Sequence, residues 1–336
     1  MRTKYTTLAR SAGLTLSLLT ALLSGALTAA GAPLAEATAQ EAQDSLPSAD
    51  RAKSILPEPR EVTHSPISQV RSFSLGGIIQ RDSYLSPLRY GGTQLGFVSQ
   101  SASYGYKRQR RGGLSQLLAR PERSVDPRWT DHSLLSLGLS QSTNPAGNGR
   151  MWGLQFSYDR SYLRRLVEGR YGRLALGPAL VGRGGARYSS RNGNNPVSIE
   201  ASLGLGLSAL YSYRLPSLRF PARLRLYGEL DLVSLSFSQE YGESYYELYY
   251  YSSWQRRLYL RGPGPALRSQ LVAGIDLPLL DWMTLSLGYR LDLQRLRVNA
   301  LERSSLSQGL LVGVSTQLLP LSGRRAQTDY APLSPF

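Results

Sequence analysis

On the segment that starts at Ala222, charged and hydroxyl-bearing side chains recur at alternate positions: Arg223, Arg225, Tyr227, Glu229 and Asp231, with Leu224, Leu226, Leu230 and Leu232 between them. Further on, Arg268 and Asp276, then Arg290 and Asp292, fall on matching alternate positions. Residues two apart on an extended chain point the same way. These basic and acidic groups therefore share one face and can build a ladder of charge-assisted hydrogen bonds with the groups opposite. Such a ladder serves either as a gate or small polar conduit, or as a structural plug. The plug is the expectation, because a charge taken out of water needs a partner wherever it lies.

A second concentration of chemistry is aromatic and basic: Tyr241, Tyr245, Tyr246, Tyr249, Tyr250, Tyr251 and Trp254, followed by Arg256, Arg257 and Arg261. Tyrosines can contact a glycan, a peptide or lipopolysaccharide, and the arginines can take phosphate groups. The plainer expectation is an aromatic girdle or an extension of a sheet into an external hairpin, since Tyr and Trp favour a membrane–water interface. Trp152, Tyr158, Trp282 and Tyr289 are girdle candidates on the same ground.

Catalysis finds little to work with. The two histidines are His64, in a polar stretch, and His132, beside Asp131 and Ser133. Sequence neighbours on a strand point different ways, so these three make no triad, and His132 is expected to be an interfacial loop residue. No close His pair suggests zinc, and there are no cysteines for thiolate chemistry or disulfides. Gly204 and Gly206 lie inside an alternating segment, where they relieve crowding, without the strand, turn and helix of a phosphate loop. No catalytic residue, metal or cofactor is expected, and the protein is not expected to be an enzyme.

The elements that must position these side chains are long strands. From Leu267 to Leu277 and again from Met283 to Leu293, apolar residues alternate with a set that is mostly Gly, Ser, Thr, Arg and Asp. Each arm is about 11 residues, close to what a tilted strand needs to cross a bilayer and about twice a usual soluble strand. In a soluble sandwich the apolar face looks inward. The polar face here would make a poor dry core if it did so, and the alternation instead predicts a transmembrane antiparallel β-barrel of the outer-membrane type, an all-β fold.

The stretch Arg81-Asp82-Ser83-Tyr84-Leu85-Ser86-Pro87-Leu88-Arg89-Tyr90-Gly91-Gly92 carries a resemblance. With its Tyr-Leu-Ser-Pro segment expected to lead into the first strand, the chain resembles a family of bacterial outer-membrane β-barrels of unknown function. The resemblance implies a fold and a compartment and brings no catalytic residues.

Nine strands are clear: 93–104, 133–141, 151–159, 173–181, 197–211, 222–237, 267–277, 283–293 and 308–318. Single-chain bacterial barrels have even strand numbers, so one is missing and about ten are expected. If the turn at 278–282 is periplasmic, the Tyr-rich segment 238–265 lies outside and the tail after Leu319 returns to the periplasm. Everything after Ser133 is then consistent, so the missing strand precedes it. Gly112 to Ala119 is the preferred location and Ser72 to Gln80 the alternative.

Arg2, Lys4 and Arg10 before an apolar run from Leu14 to Ala30 have the anatomy of a secretory signal peptide. Its cleavage is expected after Ala37-Thr38-Ala39, which makes 1–39 the signal, 40–70 a periplasmic lead-in interrupted by prolines, 71–319 the barrel and 320–336 a periplasmic tail. The formal net charge of +16 rests on 36 arginines and three lysines. The charge is dispersed, with no recognition-helix pattern, so no nucleic-acid partner is expected. The expected setting is the outer membrane of a Gram-negative bacterium. The expected partners are its lipid and lipopolysaccharide, the outer-membrane assembly machinery that would insert the chain, and an external glycan or protein ligand. Phe336 resembles the aromatic end of an assembly signal, although Pro332 and Pro335 set it apart from any final strand. The expected function is a structural or surface-interaction scaffold with a plugged polar lumen, the alternative being a narrow channel for small polar solutes.

Overall fold

Alternation continues well past the segments the sequence picks out. A computed structural model describes residues 66–108, 123–193, 195–215, 222–250, 256–280, 283–298 and 300–318. They form β1 (Ile67–Asp82), β2 (Ser86–Arg108), β3 (Arg123–Thr143), β4 (Arg150–Gly169), β5 (Gly172–Ser189), β6 (Val197–Leu215), β7 (Ala222–Phe237), β8 (Leu258–Arg261), β9 (Ala266–Leu280), β10 (Met283–Val298) and β11 (Leu301–Leu318), with one short helix, α1 (Tyr245–Tyr250). β1 to β7 pair antiparallel in chain order, β7 passes to β9, and β9 to β11 continue the sheet. β1 closes it against β11, from Ile67↔Leu318 to Asp82↔Arg303. The result is a ten-stranded antiparallel barrel, with β8 as a four-residue strand beside Ser234 to Phe237 of β7.

Even the 15-residue β9 spans roughly 50 Å of strand. An apolar band about 25 Å tall, crossed at the usual tilt, takes much less than that. The strands therefore project beyond the band into the loops. On the outer wall Phe73, Leu75, Leu95, Leu139, Leu205 and Leu310 are each at least 60 % exposed, while Ser72, Ser136, Ser140, Ser157 and Ser161 are buried on the inner face. A soluble protein does not leave so broad an apolar belt in water. The leucine face looks outward, and closure of β1 on β11 pairs each of the ten barrel strands on both sides, as hydrocarbon requires of a backbone.

The tenth strand is β1, which contains the alternative segment Ser72 to Gln80; the preferred segment, Gly112 to Ala119, lies outside the described residues. β1 begins at Ile67, inside what the sequence reading assigned to the lead-in. Its presence reverses the direction expected for β2. It also puts Tyr84-Leu85 of the segment expected to be a leader into the connection between β1 and β2, with Ser86-Pro87 opening β2. A short run rich in Gly and Ser reads poorly as a strand by propensity, and β1 is held instead by pairing on both sides.

We call the end bearing Asp82, α1 and the β10–β11 connection distal, and the opposite end, where β1 starts and β11 stops, proximal. At Gly206 a Cβ would lie 2.6 Å from the Leu230 carbonyl oxygen, where the β6–β7 register shifts. Gly172 closes the proximal turn between β4 and β5 with φ +108, a conformation that suits glycine.

Candidate functional site

The bore is filled by side chains in three levels. At the distal level Asp82, fully buried, is the hub. It accepts from Ser198 Oγ at 2.7 Å and Arg187 at 3.3 Å, and lies 3.4 Å from the Arg303 guanidinium. Its other oxygen accepts from the Tyr84 backbone N–H at 3.2 Å. Arg268 donates to Glu200 at 2.9 Å and to Ser202, while Arg187 lies 3.5 Å from the same glutamate. The family-like turn is therefore a cap. Tyr84 and Leu85 pack with Tyr90, Met151 and Leu301, and the Tyr84 hydroxyl donates to the Glu243 carbonyl at 2.6 Å.

At the middle level Arg183 donates to Glu229 at 3.1 Å and lies 3.9 Å from Asp231. Tyr227 shares a hydrogen bond with Ser161 at 3.0 Å, and its ring stacks on His132 with centroids 4.2 Å apart. Arg290 donates to Ser136 at 3.0 Å and Asp292 at 3.2 Å. Gln270, with its amide oriented to suit its neighbours, donates to Asp159 at 3.0 Å and accepts from Arg290 at 3.2 Å. At the level nearest the proximal end Arg225 forks onto Asp276 at 2.6 and 2.9 Å, and also donates to Gln100 and Ser286. Packed beside Tyr227 is an apolar cluster that includes Val98, Leu134, Leu163, Leu210 and Val272.

Of the eight lumen residues named from sequence, seven meet in this network. Arg223 does not: it stands at the proximal mouth, one step beyond the Arg225–Asp276 pair. The network also holds Asp82, Asp159, Arg183, Arg187, Glu200 and Arg303, which the sequence reading left unassigned. Their signal was available: Asp159 and Glu200 keep the inward parity of strands 151–159 and 197–211, Arg183, Arg187 and Arg303 that of their strands extended into the loops, and Asp82 that of β1. His132 is a correction. It is fully buried inside the barrel on β3 and is not an interfacial loop residue, because β3 begins at Arg123, nine residues earlier.

The aromatic segment also departs from expectation, since it forms α1 and not a hairpin that continues the wall. Among the described residues of this segment, only Leu258–Arg261 returns as strand. Ser244 and Glu247 set the helix start as a capping box: the Ser244 N–H donates to the Glu247 carboxylate at 2.8 Å and the Glu247 N–H to Ser244 Oγ at 3.2 Å. Tyr241, Tyr246 and Tyr250 are at least 67 % exposed, and the rings of Tyr246 and Tyr250 stack at 5.5 Å. Arg257 is committed to Glu240 at 2.6 Å and Glu243 at 2.9 Å, which removes it from the expected phosphate-binding set. Arg256 is exposed and Arg261 lies over the Tyr259 ring. Tyr245 and Tyr249 fall within α1, while Tyr251, Trp254, Trp282, Ala37 and Ala39 lie outside the described residues. Trp152, Tyr158 and Tyr289 sit exposed on the outer wall.

The chain aligns along most of its length with several solved structures. The outer membrane protease OmpT from Escherichia coli aligns at 7 % identity over 75 % of this chain and 97 % of its own, with a TM-score of 0.43. The translocator domain of the autotransporter NalP from Neisseria meningitidis aligns at 11 % identity over 75 % and 88 %, with a TM-score of 0.35. The Ralstonia pickettii toluene transporter TbuX aligns at 8 % identity over 80 % and 93 %, with a TM-score of 0.19. No curated protein matches the sequence. A family model described as "Protein of unknown function (DUF3316)" matches residues 15–325, so the chain belongs to that family.

Proposed function

We propose that this protein is a non-conducting scaffold of the Gram-negative outer membrane, sealed along its bore and presenting its distal loop to the outside. The observation that carries the reading is the packing of the interior. Two internal cavities, one beside Arg225 and one beside Arg183 and Arg187, measure about 10 Å³ each. That is the lower limit for a single water molecule, far short of a solute path. Within the three levels of the plug, among the described residues, six arginines (183, 187, 225, 268, 290 and 303) face seven carboxylates (82, 159, 200, 229, 231, 276 and 292). A set so nearly balanced suits mutual pairing better than attraction of ions of one sign. A scaffold role without catalysis is supported by His132, which is shut against Tyr227 with no exposed surface.

The exposed Tyr241, Tyr246, Tyr250 and Arg256 are the surface this scaffold offers to lipopolysaccharide sugars, or to an external glycan or protein. Reconstitution into proteoliposomes tests the whole reading. The vesicles should show no unit currents in a planar bilayer. They should bind lipopolysaccharide, and the Tyr246→Ser/Tyr250→Ser variant should not. Steady unit currents that change in Arg225→Gln or Asp231→Asn would overturn it.

A further inference from the structure

The proximal mouth holds charge that the plug does not use. A pocket of about 310 Å³ opens there, lined by Glu168, Arg170, Arg173, Ser212, Arg214 and Arg223 among others. Arg214 and Arg223 are register partners on β6 and β7, so their side chains leave the sheet side by side on one face. Like charges placed directly opposite on neighbouring strands repel. Arg214, Arg173 and Arg225 repel Arg223, while Asp276, its register partner on β9, attracts it. Asp276 is already spent on Arg225. The pocket's carboxylate, Glu168, is held by Arg165 and by Arg173 at 2.7 Å. Among the described residues, neither Arg214 nor Arg223 forms an ion pair.

We infer that this mouth is a binding site for a phosphate monoester, whose dianionic group bridges Arg214 and Arg223. Paired guanidinium forks match the oxygens of a phosphoryl group, and two charges on the ligand neutralise the two arginines that form no ion pair among the described residues. Elsewhere in the bore each arginine meets a carboxylate of this chain. Here, among the described residues, no carboxylate pairs with Arg214 or Arg223, and the space beside them has the size of a small-ligand pocket. The Ser212 hydroxyl, on the pocket wall, is placed to donate to a phosphoryl oxygen. The phosphoryl group belongs either to a free phosphorylated solute or to a lipid headgroup reaching in from the rim.

The test uses the full-length barrel folded in detergent. Inorganic phosphate, glycerol 3-phosphate and dihexanoyl phosphatidic acid are titrated in turn and followed by ³¹P line broadening. Saturable binding is expected, weakened at least about tenfold in Arg214→Gln/Arg223→Gln. It should be unchanged in Arg295→Gln/Arg297→Gln at the distal end. Preference for glycerol 3-phosphate assigns the site to a free solute, and preference for the lipid assigns it to a headgroup; both sustain it. Heat-modifiable gel mobility shows that the variants remain folded. The inference is overturned by no saturation below about 10 mM, by equal affinity in the Arg214/Arg223 double variant, or by tighter binding of a poly-glutamate peptide than of any phosphate. These outcomes are separate from the current measurements that judge the sealed scaffold.

Discussion

Arg183 shows most clearly what a buried charge does here. It lies within ion-pair distance of Glu229 and Asp231 and also feels Asp292 and Asp159, so four carboxylates draw on one guanidinium. Removing one member of a buried set strands the rest, at a cost of about 3–5 kcal/mol. Arg183→Gln should therefore lower the barrel's stability by that order in urea unfolding followed by gel mobility. Arg160 pairs with Asp131 at 2.7 Å, but its side chain is 61 % exposed. Arg160→Gln should cost less than about 1 kcal/mol. Equal losses for the two would show that the interior pairs do not hold the wall together. Arg183 was legible only in part: Ala179 and Val181 set the inward parity, but the Gly182-Arg183-Gly184-Gly185 run looks like loop when propensity is the guide.

Two elements carry information that alternation cannot give. The β1–β2 connection bends into the distal mouth because Asp82 finds its partners on β5, β6 and β11, none of them near in sequence. The helix α1 is the opposite case, a local element written in Ser244 and Glu247. The Ser244 backbone N–H and then its hydroxyl hold the Glu247 carboxyl below its ordinary value. A carboxyl lowered in the folded state lends stability that is fully present above the unfolded value, about 4.3, and is lost as pH falls through the folded value. The start of α1 should therefore hold at neutral pH and loosen below about pH 4. Protease cleavage between Tyr241 and Arg257 should rise in that range in the wild type. In Glu247→Gln it should already be raised at pH 7 and change little on acidification. Identical acid profiles in both proteins would remove the capping box as the cause.

At the scale of the molecule, the physics is that of a soluble core turned inside out. Leu75, mid-strand on β1 and 62 % exposed, belongs to the outer belt and meets acyl chains in the proposed setting. Leu75→Arg should cost about 2–4 kcal/mol in lipid-reconstituted unfolding, the penalty for a cation on the lipid face. A loss under about 0.5 kcal/mol would mean that this face does not see hydrocarbon. Inside, the wall is narrow enough for the side chains to meet, so the cross-bore pairs also tie distant strands together: Arg225 on β7 reaches Gln100 on β2, and Arg290 on β10 reaches Ser136 on β3.

Some of this was decided by the chain alone. A period of two, kept over segments long enough to span a membrane, determines strand, amphipathic face and even strand number, because those follow from local geometry and from the need to satisfy every backbone group. Seven of the inward charges could be named for the same reason. Which strand was the tenth, which carboxylate each arginine finds, and that Arg214 and Arg223 pair with none among the described residues were settled only by the tertiary structure. Closure brings β1 against β11, and pairing across a bore depends on distances that no stretch of sequence contains.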